Sequence, residues 1–150
     1  MIVKSLDHLN QISKKISKNL ENGDCIFLIG EIGVGKTTLT RNIINNLQNQ
    51  KEYNETEVLS PTFNLLYEYE VKDLKIMHYD LYRIKKINEL DHLGIFSENK
   101  KTVKIIEWPD LIKTPLSNKL EIYLEYAESD RERKMRIQGS GKWKDFENEL

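Results

Sequence analysis

Residues 25–44 read CIFLIGEIGVGKTTLTRNII, and this stretch decides the fold. The first five residues are a continuous apolar, β-rich run, the pattern of a short strand buried on both faces. Beyond Lys36 the apolar residues Leu39, Ile43, Ile44 and Leu47 recur at helical spacing. Between strand and helix lies glycine, four residues, glycine, lysine and threonine. Gly30, Gly33 and Gly35 admit backbone angles that side chains forbid, so the loop can wrap closely and turn its amide hydrogens toward an anion. The helix that follows aims its positive end at the same anion. A phosphate loop requires this strand before it and this helix after it. Gly30, Glu31, Ile32, Gly33, Val34, Gly35, Lys36, Thr37 and Thr38 are therefore the expected nucleotide-binding set, with Lys36 reaching the β- and γ-phosphates and the Thr37 hydroxyl ligating Mg2+.

The surroundings extend an α/β pattern. Leu6, Leu9, Ile12, Ile16 and Leu20 lie on one face of a helix over residues 5–20, broken at Asn22, Gly23 and Asp24. The polar stretch NLQNQKEYNETE, residues 46–57, has no face to bury and reads as a loop. Residues 63–69 and 74–79 suggest an antiparallel hairpin turning at 71–73, followed by a short helix over 87–93. A buried strand is expected over 103–106, ended by Glu107, Trp108 and Pro109. A last pair, 120–126 and 134–137, flanks the charged turn 128–131. The alternation of Leu120, Ile122, Leu124 and Tyr126 with Glu121, Tyr123 and Glu125 suits a sheet with one wetter face. The expected architecture is an α/β, P-loop NTPase-like three-layer domain with a mixed parallel and antiparallel central sheet.

Size and charge bound the function. A chain of 150 residues is expected to form one domain, residues 1–150, that buries roughly 68–70% of its unfolded surface. With 23 basic and 24 acidic side chains there is no global field drawing the protein to nucleic acid or to anionic membrane, and no DNA or membrane partner is expected. Lys134, Arg136, Lys142 and Lys144 offer at most a small basic patch for RNA. The single cysteine, Cys25, excludes an intramolecular disulfide and sits in an apolar run, the place of a buried small residue. No apolar run is long enough to span a bilayer and the first residues are too polar for a secretory signal, so a cytoplasmic location is expected.

A phosphate loop also needs carboxylates across from it, one for the metal and one to position water. Asp80 closes the strand KIMHYD and Glu107 closes VKIIE, both at the rim where open α/β sheets bind ligands. Spacing alone does not divide the two roles. His78 is either a satisfied structural histidine or part of a switch. Ser60, Pro61 and Thr62 form either a γ-phosphate sensor or a plain strand-entry turn. Arg83 could pair with Asp80, touch phosphate or decorate a helix. The string Asn99, Lys100, Lys101, Thr102 lacks the aspartate that reads guanine, so guanine specificity is unsupported. No cluster of arginines marks an acceptor site, which weighs against a small-metabolite kinase. A non-catalytic nucleotide-binding module is the other rival.

Taken together, GEIGVGKTT at 30–38, SPTF at 60–63, HYDLYR at 78–83 and EWP at 107–109 resemble the TsaE family, the bacterial ATPase of tRNA threonylcarbamoyladenosine biosynthesis. Their order and separations fit, and HYDLYR joined to EWP is far more specific than the phosphate loop. Glu31, Ile32 and Val34 depart from the family's more usual aspartate, leucine and alanine, and the tail beyond Gly139 matches nothing. The resemblance implies an ATPase that uses ATP and Mg2+ and acts through the TsaB-TsaD complex, with tRNA touched indirectly. It implies that Thr37 and Glu107 hold Mg2+, that Asp80 positions water beside Lys36, and that Trp108 lies near the nucleotide. It implies that Ser60, Pro61 and Thr62, together with His78, Asp80, Tyr82 and Arg83, sense the nucleotide, and it suggests Arg131 as a further contact.

Overall fold

Side-chain alternation along the buried strand splits the interior in two. In the computed structural model, which describes residues 1–96 and 101–150, β2 (Cys25–Ile29) sends Ile26 and Leu28 into one apolar cluster and Cys25 and Phe27 into the other. Around it lie β1 (Ile2–Val3), β3 (Leu66–Val71), β4 (Leu74–Asp80), β5 (Thr102–Glu107), β6 (Lys119–Tyr126) and β7 (Arg133–Gly139). The sheet order is β1-β7-β6-β2-β5-β4-β3. The four central strands, β6, β2, β5 and β4, run parallel. The outer two of these then pair antiparallel, β6 with β7, which in turn pairs with β1, and β4 with β3, which makes the sheet mixed as expected.

Two helices, α1 (Leu6–Asn19) and α2 (Lys36–Gln50), pack on one face of the sheet. Ser5 caps α1 by accepting a hydrogen bond from the His8 amide at 3.1 Å, and Asp7 in the first turn suits the positive helix end. The other layer is thinner than a helical layer. It consists of α3 (Asn88–His92) and irregular segments that bring Leu81, Ile84, Leu90, Ile95 and Ile112 against Phe27, Met77, Tyr79 and Ile106. Burial pushes the Cys25 thiol up to about 12, in keeping with a structural cysteine. Among the described residues no helix is long and apolar enough to cross a membrane.

Several boundaries differ from the sequence expectation. The helix continues through residues 46–50, because Leu47 and Gln48 are buried and the Gln48 side chain is pinned to Thr56. The first hairpin strand begins at Leu66, since Leu65 takes a positive φ of 67° as its amide bonds the Pro61 carbonyl. Val71 lies in the strand, paired with Leu74, leaving a two-residue turn in which Lys72 has φ 55°. The strands β1 and the 3-10 turns Gly141–Trp143 and Phe146–Glu149 were not foreseen. Their anchors are Trp143 and Phe146, buried edge to face with ring centroids 5.0 Å apart, and Lys142, which pairs with Asp24 at 2.7 Å and Glu21 at 3.3 Å. Lys134 and Arg136 lie on the exposed side of β7. The guanine-like string at 99–102 has its first two residues outside the described residues.

Trp143→Ala is expected to destabilise the protein by about 3–5 kcal/mol, the cost of emptying a fully buried aromatic site. Denaturant unfolding followed by circular dichroism reads it as a lower midpoint; an unchanged midpoint would mean the tail does not close the core.

Candidate functional site

The phosphate loop owes its shape to β6 as much as to its glycines. Gly30 has φ 153°, and a Cβ there would collide with the Leu124 carbonyl oxygen and crowd Val34, so the loop can leave β2 only with glycine at this position. Gly35 has φ 118° and serves as the N-cap of α2, which needs no side-chain cap because the amides of its first turn are left for an anion. Tyr126 at the end of β6 donates its hydroxyl to the Ile32 carbonyl at 2.9 Å. Arg133 at the start of β7 donates from Nε to the Val34 carbonyl at 3.0 Å, and its guanidinium lies 4.7 Å from the Tyr126 ring centroid. The loop is therefore held from outside by the second hairpin.

Lys36 is buried at the floor of the loop. Its Nζ donates to the carbonyls of Gly30 at 2.7 Å and Glu31 at 2.8 Å, and stands 4.3 Å from the Trp108 ring centroid. Burial lowers the pKa of this ammonium, while Glu107 and Asp80 act in the opposite sense. Trp108 occupies the left-handed region, φ 59° and ψ 58°, a conformation that costs a bulky residue about 1–3 kcal/mol. A tilted ring contact with Tyr82 at 4.8 Å and the lysine contact hold the indole there.

Strand register brings the carboxylates together. In the parallel β4–β5 pair, Asp80 stands beside Glu107 and His78 beside Ile105. The period of two puts His78 and Asp80 on the same side of β4, with Ile76, and Glu107 on the same side of β5 as Ile105; this is the face that α2 covers. Thr37 Oγ1 consequently donates to Glu107 Oε1 at 2.9 Å, and His78 Nε2 lies 2.9 Å from the same oxygen. Asp80 makes different contacts: Oδ2 accepts from Thr62 Oγ1 and Oδ1 from the Tyr82 amide, both at 2.9 Å, and Ser60 Oγ lies 2.8 Å from Thr62 Oγ1. Ser60, Thr62, Asp80, Tyr82, Trp108 and Glu107 thus line one cavity of about 210 Å³ with Lys36 and Thr37. Pro61 is buried behind it and braces Leu65.

Arg83 does not pair with Asp80; its guanidinium lies 5.5 Å from the ring centroid of Phe63, which is exposed. Arg131 lines a second cavity, about 540 Å³, whose wall includes Gly33, Val34, Gly35 and Thr38 of the phosphate loop. That cavity also draws on the first turn of α1 and on Arg133, neither of which was singled out from sequence. The turn signal at 128–131 pointed to the hairpin, but which arginine would face the loop depended on strand register.

The seven-stranded α/β architecture with its glycine loop defines a P-loop NTPase-like domain. The crystal structure of Bacillus subtilis YdiB has the same fold, with a TM-score of 0.68 and 23% identity over 99% of this chain and 90% of that one. The family model described as Threonylcarbamoyl adenosine biosynthesis protein TsaE matches residues 3–135. Proteins named tRNA threonylcarbamoyladenosine biosynthesis protein TsaE from Rickettsia felis and Aquifex aeolicus are 33% and 31% identical, covering 87% and 91% of this chain and 75% and 93% of theirs. The chain belongs to the TsaE family. The match ends before the tail that carries Trp143.

Arg133→Ala removes a charged hydrogen bond worth about 1.5 kcal/mol. Amide exchange over residues 31–35 is expected to accelerate about tenfold, while exchange in β2 and β5 stays as in the unmodified protein. Equal protection of the loop in the variant would show that the hairpin does not brace it.

Proposed function

We propose that this chain is a cytoplasmic Mg2+-dependent ATPase of tRNA threonylcarbamoyladenosine biosynthesis, working as a single domain through a TsaB-TsaD-type complex and touching tRNA only indirectly. Membership of the family supports the pathway. The observation that carries the catalytic part is the contact between Thr37 and Glu107 at the foot of the loop, with Asp80 beside it and oriented by other donors.

Loop amides and Lys36 grip the β- and γ-phosphates; Lys36 reaches them by leaving the Gly30 and Glu31 carbonyls. The second cavity, beside Arg131, suits the nucleoside end of the same ligand. Thr37 and Glu107 are hard oxygen donors that fit Mg2+, which supplies charge neutralisation between the terminal phosphates when bound. Asp80 holds the attacking water. Its link to Ser60 and Thr62 through Oδ2, and to Tyr82 through Oδ1, lets the presence of a γ-phosphate be registered in two surface segments at once. Phe63 and Tyr82, exposed on those segments, are where a change of nucleotide reaches a protein partner.

Phosphate release from ATP tests the assignment of roles. Asp80→Ala is expected to keep nucleotide binding but lower turnover by about a hundredfold or more, whereas Glu107→Ala is expected to lose Mg2+-dependent affinity. The reverse pattern would exchange the two carboxylates. A phosphorylated metabolite formed in place of free phosphate would identify a kinase, and binding without any phosphate release, even with partners, a non-catalytic module. Capture of TsaB and TsaD is expected to differ between ATP and ADP; equal capture in both states and without nucleotide would remove the switch.

A further inference from the structure

Glu107 has two neighbours that reach the same oxygen, and only one of them belongs to the phosphate loop. His78 is fully buried, with its Nε2 2.9 Å from Glu107 Oε1, the atom that also accepts from Thr37. An ionised carboxylate can only accept, so the ring proton belongs on Nε2. The other nitrogen, Nδ1, is buried and has no hydrogen-bond partner among the described residues, which leaves it as a bare lone pair. An imidazole buried with one nitrogen orphaned is a poor way to fill space on the face that carries Ile76 and Ile105, because the unsatisfied atom carries a desolvation cost that an apolar side chain would not. Among the described residues the one hydrogen bond of the ring is to Glu107.

We propose that His78 is a positioning residue: its Nε2–H holds Glu107 Oε1 so that the carboxylate meets the Thr37 hydroxyl in the orientation the cation requires. The inference rests on the Mg2+-ATP reading of the site and adds to it a device behind the carboxylate. Two donors converging on one oxygen fix the rotation of the carboxylate. Both groups sit on core strands, His78 on β4 and Glu107 on β5, which pair in parallel with Asp80 beside Glu107 and His78 beside Ile105. Removing a partner of this kind from behind a metal-binding group commonly costs 10–100-fold in metal affinity or activity.

Two measurements test it. In the wild-type protein without nucleotide, two-bond 1H–15N correlation of the histidine rings is expected to show His78 as the Nε2–H tautomer with a proton slow to exchange; the Nδ1–H tautomer would overturn the proposal. ATP affinity, followed by tryptophan fluorescence with Mg2+ or with EDTA, then gives the coupling between cation and nucleotide. In His78→Leu the ratio of the two affinities is expected to fall about tenfold. His78→Gln, whose amide nitrogen reaches about as far as Nε2, should recover most of it. A full Mg2+ effect in folded His78→Leu sinks the positioning role alone, and absence of any Mg2+ effect in the wild type sinks the reading on which it rests. Where His78→Leu does not fold, the tautomer decides.

Discussion

The hydrogen bond from Thr37 to Glu107, 2.9 Å long, joins the first turn of α2 to the last residue of β5. It requires that β5 lie next to β2 in parallel, that the glycine loop return α2 across the strand ends, and that Glu107 fall on the α2 side of its strand. Each condition is a property of the whole sheet. The parallel pairing places the C-terminal ends of β2, β4 and β5 at one rim, where both carboxylates and the loop converge, as in other open α/β sheets. A shift of β5 by one residue would turn Glu107 to the opposite face and bring Lys104, Ile106 and their kind toward α2.

Polar groups at that rim are buried at a cost that their hydrogen bonds to backbone and neighbouring side chains offset. Lys36, His78, Asp80 and Glu107 are all buried, and each has a named partner. Lys36 rests on carbonyls and on the Trp108 ring, Asp80 on Thr62 and Tyr82, Glu107 on Thr37 and His78. The arrangement forms two linked sets with different outlets. The set around Glu107 faces inward, toward the core strands, and is buried. The set around Asp80 runs outward through Thr62 and Ser60 to segments that expose Phe63 and Tyr82.

Much of this was legible in the chain. The apolar run, glycine loop and helical spacing at 25–44 announced strand, phosphate loop and helix because each is a local pattern with a local physical cause. Asp80 and Glu107 were recognisable as strand-end carboxylates, and HYDLYR with EWP pointed to the family that the comparisons bear out. The errors lie where long-range packing overrules local composition. The polar residues 46–50 are helical because Leu47 and Gln48 are buried against neighbours distant in sequence, and the tail is ordered because Trp143 finds a core to fill. Arg131 came from the family resemblance, and nothing in the sequence marked Arg133 as the arginine that holds the loop, a contact set by the register of β6 with β7.

The division between sequence and structure follows from the range of the forces involved. By itself the sequence determined the elements whose signals are short-ranged: an apolar strand, glycines where side chains cannot go, and a helix with one apolar face. Only the tertiary structure decided which carboxylate touches Thr37, that His78 stands behind it, and that a hairpin a hundred residues away braces the loop. Those contacts depend on strand order and register. Both are settled by the packing of side chains far apart in sequence, and no short stretch of sequence contains them.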